Sequence, residues 1–100
     1  MTPAGFAVIA TRRFERDYRS LLKHHAELPE HYAAVLAALQ HDPYNRTRRY
    51  QIKKLEGIAP GDGQHRIRDG RFRFRYDIEG TSVFLKYCSL RREDTYQKSR

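Results

Sequence analysis

The stretch that most restricts the fold is residues 64–78, Gln-His-Arg-Ile-Arg-Asp-Gly-Arg-Phe-Arg-Phe-Arg-Tyr-Asp-Ile. On either side of Asp69-Gly70, apolar and charged side chains alternate strictly, which is the period of a half-buried strand. Asp-Gly suits a two-residue hairpin turn with both central residues at positive φ. A turn there sets Arg68 against Arg71, Ile67 against Phe72 and Arg66 against Arg73. Because side chains alternate across a strand, Arg66, Arg68, Arg71, Arg73 and Arg75 then share one face. Ile67, Phe72, Phe74, Tyr76 and Ile78 form the other, a core surface. Like charges directly opposite across a ladder cost about 0.2–1 kcal/mol a pair, and no acid lies between Arg71 and Tyr76. Such a face is read as one built to hold a polyanion, most simply nucleic-acid phosphate.

The distribution of charge supports this. The net charge of +8 arises from 20 Lys and Arg against 12 Asp and Glu. Residues 1–42 hold five bases and five acids, whereas residues 43–76 hold ten bases and three acids. The excess therefore sits in one third of the chain, as expected of a binding face. The single cysteine, Cys88, excludes an intrachain disulfide and fits a reducing cytosol. Its apolar neighbours Phe84, Leu85 and Tyr87 predict a buried, inert thiol. The longest apolar run, residues 32–39, is far short of the ~18 residues that span a bilayer. No signal-peptide pattern opens the sequence. The expectation is one domain over residues 1–100, soluble and cytoplasmic, without membrane contact.

Residues 6–10 read as a short first strand. Thr11 can cap a helix carrying Phe14, Tyr18, Leu21 and Leu22 at helical spacing and ending near His24-His25. Pro29 suits the first turn of a second helix, with Tyr32, Val35, Leu36 and Leu39 as its apolar stripe and Asp42-Pro43 as its end. Residues 44–50 form a polar loop, residues 52–55 a brief extended piece, and residues 57–63 a loop with Pro60 and three glycines. After the arginine hairpin, Gly80 opens a turn into a strand over residues 82–89. There Val83, Leu85 and Tyr87 alternate with Phe84, Lys86 and Cys88. The fold class is α+β: an antiparallel sheet of about four strands with two N-terminal helices packed on one face. The arginines occupy the opposite, open face.

The five histidines show no ligand spacing with Cys or carboxylates, so neither a metal site nor a cofactor is predicted. Gly57, Gly61 and Gly63 lack the Lys-Ser/Thr of a phosphate loop, and no Ser-His-Asp arrangement emerges. The remaining Arg, Lys, Tyr and His65 suit attack of an RNA 2′-hydroxyl on its neighbouring phosphate. That reaction needs a base, cations for a crowded dianionic phosphorane, and an acid for the 5′-oxygen. Arginine supplies the cations because its fork matches two phosphate oxygens and stays charged. Tyr96, beside Arg91 and Arg92, is a candidate base or a packing tyrosine; His65 is a second acid/base candidate.

The chain resembles the RelE/ParE superfamily of bacterial toxins. The resemblance rests on Lys53-Lys54-Leu55-Glu56-Gly57, on Arg66-Ile67-Arg68-Asp69-Gly70-Arg71-Phe72-Arg73-Phe74-Arg75-Tyr76, and on Arg91-Arg92-Glu93-Asp94-Thr95-Tyr96. Phe14-Glu15-Arg16-Asp17-Tyr18 and the Asp42-Pro43 helix end also fit. The resemblance implies a RelE-like fold, a cognate acidic antitoxin and a toxin–antitoxin hetero-oligomer. In the RelE branch it implies metal-free cleavage of mRNA on the ribosome, and hence inhibited translation. Arg73 matches the arginine that stabilises the phosphorane, and Tyr96 the general base. Arg66 and Arg68 match the basic strand residues, and Arg91 is the nearest match to the C-terminal catalytic arginine, with Arg92 competing for that role. Lys53, Lys54, Arg66, Arg68, Arg71, Arg75 and Arg92 are the expected RNA and ribosome contacts. Ser89-Leu90 replaces the family's Gly-His or Gly-Lys before that arginine. The alternatives are a ParE-like toxin that poisons DNA gyrase and a non-catalytic RNA-binding module.

Overall fold

The computed structural model describes residues 5–91. Strand β1 (Ala7–Ala10) leads into helix α1 (Arg12–Leu22), and helix α2 (Leu28–His41) follows. Then come β2 (Ile52–Lys54), β3 (His65–Asp69), β4 (Phe72–Glu79) and β5 (Ser82–Leu90). The five strands lie in the order β1-β5-β4-β3-β2, antiparallel except for the β1–β5 pair. About four strands were expected, residues 6–10 among them; the brief extended piece at residues 52–55 supplies the fifth as β2. The parallel pairing of β1 with β5, across most of the chain, is one no local pattern announces.

Both helices begin and end where the sequence chemistry places them. Thr11 Oγ1 accepts from Phe14 N at 3.3 Å and donates to Leu85 O at 2.7 Å, so one side chain caps α1 and ties its start to β5. Pro29 sits in the first turn of α2, where its missing N–H costs nothing. Asp42 ends that helix with a buried carboxylate that accepts from Arg46 N, Thr47 N and Thr47 Oγ1. Burial alone raises an aspartate's pKa; here the bonds from Thr47 and Arg46 outweigh it and hold Asp42 below its usual range.

The helices cover one face of the sheet. Phe14, Leu28, Val35 and Leu39 meet Ile67, Phe72, Phe74, Tyr76, Val83 and Leu85 in a single core. Burying a side chain of this size contributes about 1.5–3 kcal/mol. Within the core Tyr32 stacks on Phe74 with centroids 6.2 Å apart, and the Tyr76 hydroxyl donates to Pro43 O at 2.7 Å. Cys88 is buried there too, its thiol pushed up to about 12 by burial and by Asp17.

Two register features differ from the pattern in the sequence. The hairpin turn is centred on Gly70-Arg71, because Asp69 pairs with Phe72, Arg68 with Arg73 and Arg66 with Arg75. Gly70 has φ 63° while Arg71 stays at negative φ, the sense of a type II′ turn. Asp69 is held in the ladder by His31 of α2, whose Nδ1 lies 2.7 Å from its carboxylate. That ring also fills the space beside Gly70, where an added Cβ would come within 2.5 Å of His31 Cε1. Every partner moves by two positions, so Arg66, Arg68, Arg73 and Arg75 keep their common face while Arg71 leaves it for the turn.

The second feature is a bulge in β5. Arg75 pairs with Tyr87 but Tyr76 with Leu85, leaving Lys86 extra. Beyond it the alternation inverts: Cys88 turns into the core, and Tyr87 and Ser89 join the arginine face. Strict alternation had placed Tyr87 with Val83 and Leu85.

Candidate nucleic-acid interface

Across the open face, the ladder sets Lys53 beside Arg66 and Arg66 beside Arg75, with Tyr87 next on β5. A parallel row runs Arg68, Arg73, Ser89. Arg91 follows β5, its N–H donating to Arg71 O at 2.7 Å, which brings it to the same end of the face. The Arg66 guanidinium is lowered from its ordinary value, first by burial and then by Arg68, Arg73 and Arg91. These four groups therefore share one electrostatic field. Arg66 remains charged at neutral pH, because a guanidinium's ordinary value lies far above it. Among the described residues, Arg66 Nε and Arg68 Nε are buried without a hydrogen-bond acceptor. A buried donor left unmatched costs about 1–3 kcal/mol.

The other end of the face is closed. Residues 55–64 fold over it and are fastened by three side chains. Asp77, buried, accepts from Gly63 N at 2.8 Å and Gln64 N at 2.9 Å. Arg75 donates through Nη2 to Asp62 O at 2.6 Å and through Nε to Gly63 O at 3.1 Å. The Tyr87 hydroxyl donates to the Asp62 carboxylate, a bond that raises its pKa. Gly63 takes φ 78°, strained for any other residue, and an added Cβ would crowd Arg75 Cβ at 3.1 Å. The hairpin's charge is thus divided. Arg75 serves the loop, Arg71 lies exposed in the turn 3.9 Å from Glu27, and Arg66, Arg68, Arg73 and Arg91 form the cluster.

His65 does not join them. It pairs with Tyr76 across the ladder and shares the face of Ile67, its ring stacked on Tyr76 at 5.4 Å and edge-on to Tyr44 at 6.2 Å. Burial, and then Lys54, lower its pKa, so the ring is neutral at pH 7. The acid/base candidacy of His65 is corrected accordingly: a sheet separates it from the arginine cluster. Lys54, opposite His65, is likewise on the helix side, while Lys53 is on the arginine side. Tyr96 and Arg92 lie outside the described residues.

Helix α1 adds residues that the sequence did not single out for RNA. Past Leu85, β5 has no strand on its outer edge, and α1 takes the place of β1 there. Asp17 accepts from Cys88 N at 3.2 Å and lies 3.3 Å from Arg13 Nε. The Arg13 and Arg75 guanidiniums rest 4.8 and 4.7 Å from the Tyr87 ring centroid. Between α1 and β5 lies a cleft of about 440 Å³ lined by Arg13, Asp17, Arg73, Arg75, Tyr87, Cys88 and Ser89. Only the bulge brings Tyr87 and Ser89 to it, and no alternating pattern could have signalled that.

Among the described residues no three His, Cys, Asp or Glu side chains converge as metal ligands, and no helix is long and apolar enough to cross a membrane. No protein-family model matches the sequence, and no curated protein does. The fold does have a solved counterpart, a chain of the RelB–RelE antitoxin–toxin complex from Methanococcus jannaschii. The two align with a TM-score of 0.61 and 18% identity over 87% of this chain and 94% of that one. The architecture is the RelE-like fold.

Proposed function

We propose that this chain is the toxin of a type II toxin–antitoxin pair and acts as a ribosome-dependent mRNA endoribonuclease. The observation that carries the proposal is the open end of the sheet, where the ladder sets Arg68 beside Arg73 and where Arg66, Arg68, Arg73 and Arg91 share one field. A phosphorane forming there gains negative charge, and fixed cations strengthen their hold as it does. Arg73, at the centre of the Arg68–Arg73–Ser89 row, is assigned to the phosphorane oxygens. Arg66 and Arg68 grip the flanking phosphate, and Arg91 adds charge at the turn end, with Arg92 its competitor.

The reaction also needs a base for the 2′-hydroxyl. Tyr87 reaches this face, but its hydroxyl donates a hydrogen bond to Asp62 that raises its pKa, holds it protonated and disqualifies it. The assignment therefore stays with Tyr96. Arginine supplies the charge that a metal would otherwise bring, so cleavage proceeds on the chain's own cations. The partner that silences it is an acidic antitoxin segment laid across the cluster, matching charge for charge. The structural neighbour is a chain of an antitoxin–toxin complex, which supports an antitoxin partner.

Induced expression followed by mapping of mRNA 5′ ends and of gyrase-linked DNA breaks tests the reading. New 5′ ends in translated messages, lost in Arg73→Ala, are expected. Gyrase-linked breaks without new 5′ ends would overturn it in favour of gyrase poisoning. Ribosome binding without either product would leave a passive RNA-binding module.

A further inference from the structure

We infer that single-stranded RNA crosses the sheet transversely and leaves it through the cleft between α1 and β5, where Arg13 holds a phosphate beyond the arginine cluster. The inference rests on the nucleic-acid reading of the open face and deepens it with a path and an exit.

The register determines the path. Arg68, Arg73 and Ser89 are neighbours across three strands, each step about 4.8 Å. Arg73 and Ser89 at the end of that row also line the cleft, whose far wall is Arg13 and Asp17 of α1. Cations from two elements far apart in sequence thus face one hollow. A lengthwise route, along β4 past Arg75, is blocked by residues 55–64, which Arg75, Tyr87 and Asp77 fasten down. A strand lying on Arg73 is steered away from that loop and toward α1.

Arg13 suits the end of such a path. Its side chain is 56% exposed, so it reaches a ligand without rearrangement. Asp17 at Nε and the Tyr87 ring fix its direction while its terminal nitrogens remain to meet phosphate oxygens. Asp17 shares its charge with Cys88 N, which weakens its competition with a phosphate for Arg13. The cleft volume of about 440 Å³ falls within the ~300–1,000 Å³ of small-ligand sites, ample for one nucleotide.

The test uses non-cleavable 2′-O-methyl oligouridylates of three and eight nucleotides, titrated against the full chain at several salt concentrations. Wild type is expected to bind the octamer more tightly and with a steeper salt dependence than the trimer. Arg13→Gln should lose several-fold of octamer affinity and flatten its log–log slope by about 0.7, the single-strand increment per phosphate. Trimer affinity should hold, and Arg13→Lys should restore the slope. Arg73→Gln should weaken both oligomers. An Arg13→Gln variant that binds the octamer with wild-type affinity and slope overturns the path, while a loss in Arg73→Gln alone keeps the arginine site intact. Wild type binding neither oligomer would overturn both.

Discussion

Arg73 and Arg75 stand two residues apart on one strand and one face, yet they do different work. Arg73 lies in a guanidinium field with Arg66, Arg68 and Arg91. Arg75 is spent on the carbonyls of Asp62 and Gly63. The same residue type becomes a ligand-binding group at one end of the face and a loop fastener at the other. For Arg75 the deciding feature is that the Asp62 and Gly63 carbonyls are brought within reach. A run of arginines in a sequence is therefore not a run of equivalent binding groups.

The largest effect that would sharpen this contrast is on cleavage rate. Arg73→Ala and Tyr96→Phe are each expected to lower single-turnover cleavage on programmed ribosomes by about 10²-fold or more. Arg75→Ala should stay within about tenfold once the folded fraction is accounted for. Equal rate losses in Arg73→Ala and Arg75→Ala would break the division.

Stability should show the reverse order. Asp77→Ala strips two backbone N–H groups of a buried carboxylate. It is expected to cost about 2–3 kcal/mol in urea unfolding. Arg75→Gln should cost about 1 kcal/mol, a fall in Tm of roughly 4–8 °C. Arg73→Ala relieves like-charge crowding at Arg66 and should cost less than Asp77→Ala; a fall in Tm as large as that of Asp77→Ala would contradict its assignment to binding.

The smallest expected effect concerns His65. Its folded pKa is lowered, so the folded state disfavours the protonated ring. The stability it contributes is fully present above its ordinary value of 6.5 and declines as pH falls toward the lowered value. His65→Gln should therefore lose less Tm than wild type between about pH 7.5 and 5.5. Cleavage at pH 7.5 should be unchanged, because the residue is on the helix side. A large rate loss would return it to the catalytic list.

Local chemistry made much of the fold legible. The Thr11 cap, Pro29 in the first turn of α2, the Asp42 stop and the Ile67/Phe74 against Arg66/Arg73 alternation all follow from periodicity and end signals, and all appear as expected. The features that escaped depend on contacts distant in sequence. The turn moved by one residue because His31, 38 positions away, captures Asp69. The Lys86 bulge inverted the end of β5 and delivered Tyr87 and Ser89 to the arginine face. The loop's hold on Arg75 depends on Asp62 and Gly63, which read in the sequence as punctuation. Arg13 reached the site because β1 stops pairing at Leu85 and leaves α1 beside β5.

The central claim is that the open end of the face meets phosphate and the closed end does not. The salt dependence of RNA affinity tests it directly, with octamer binding measured for wild type, Arg66→Gln/Arg73→Gln and Arg75→Gln. The double variant should flatten the log–log slope by about 1.4, two single-strand increments, while Arg75→Gln keeps the wild-type slope. An unchanged slope in the double variant, or an equal flattening in Arg75→Gln, would contradict the claim.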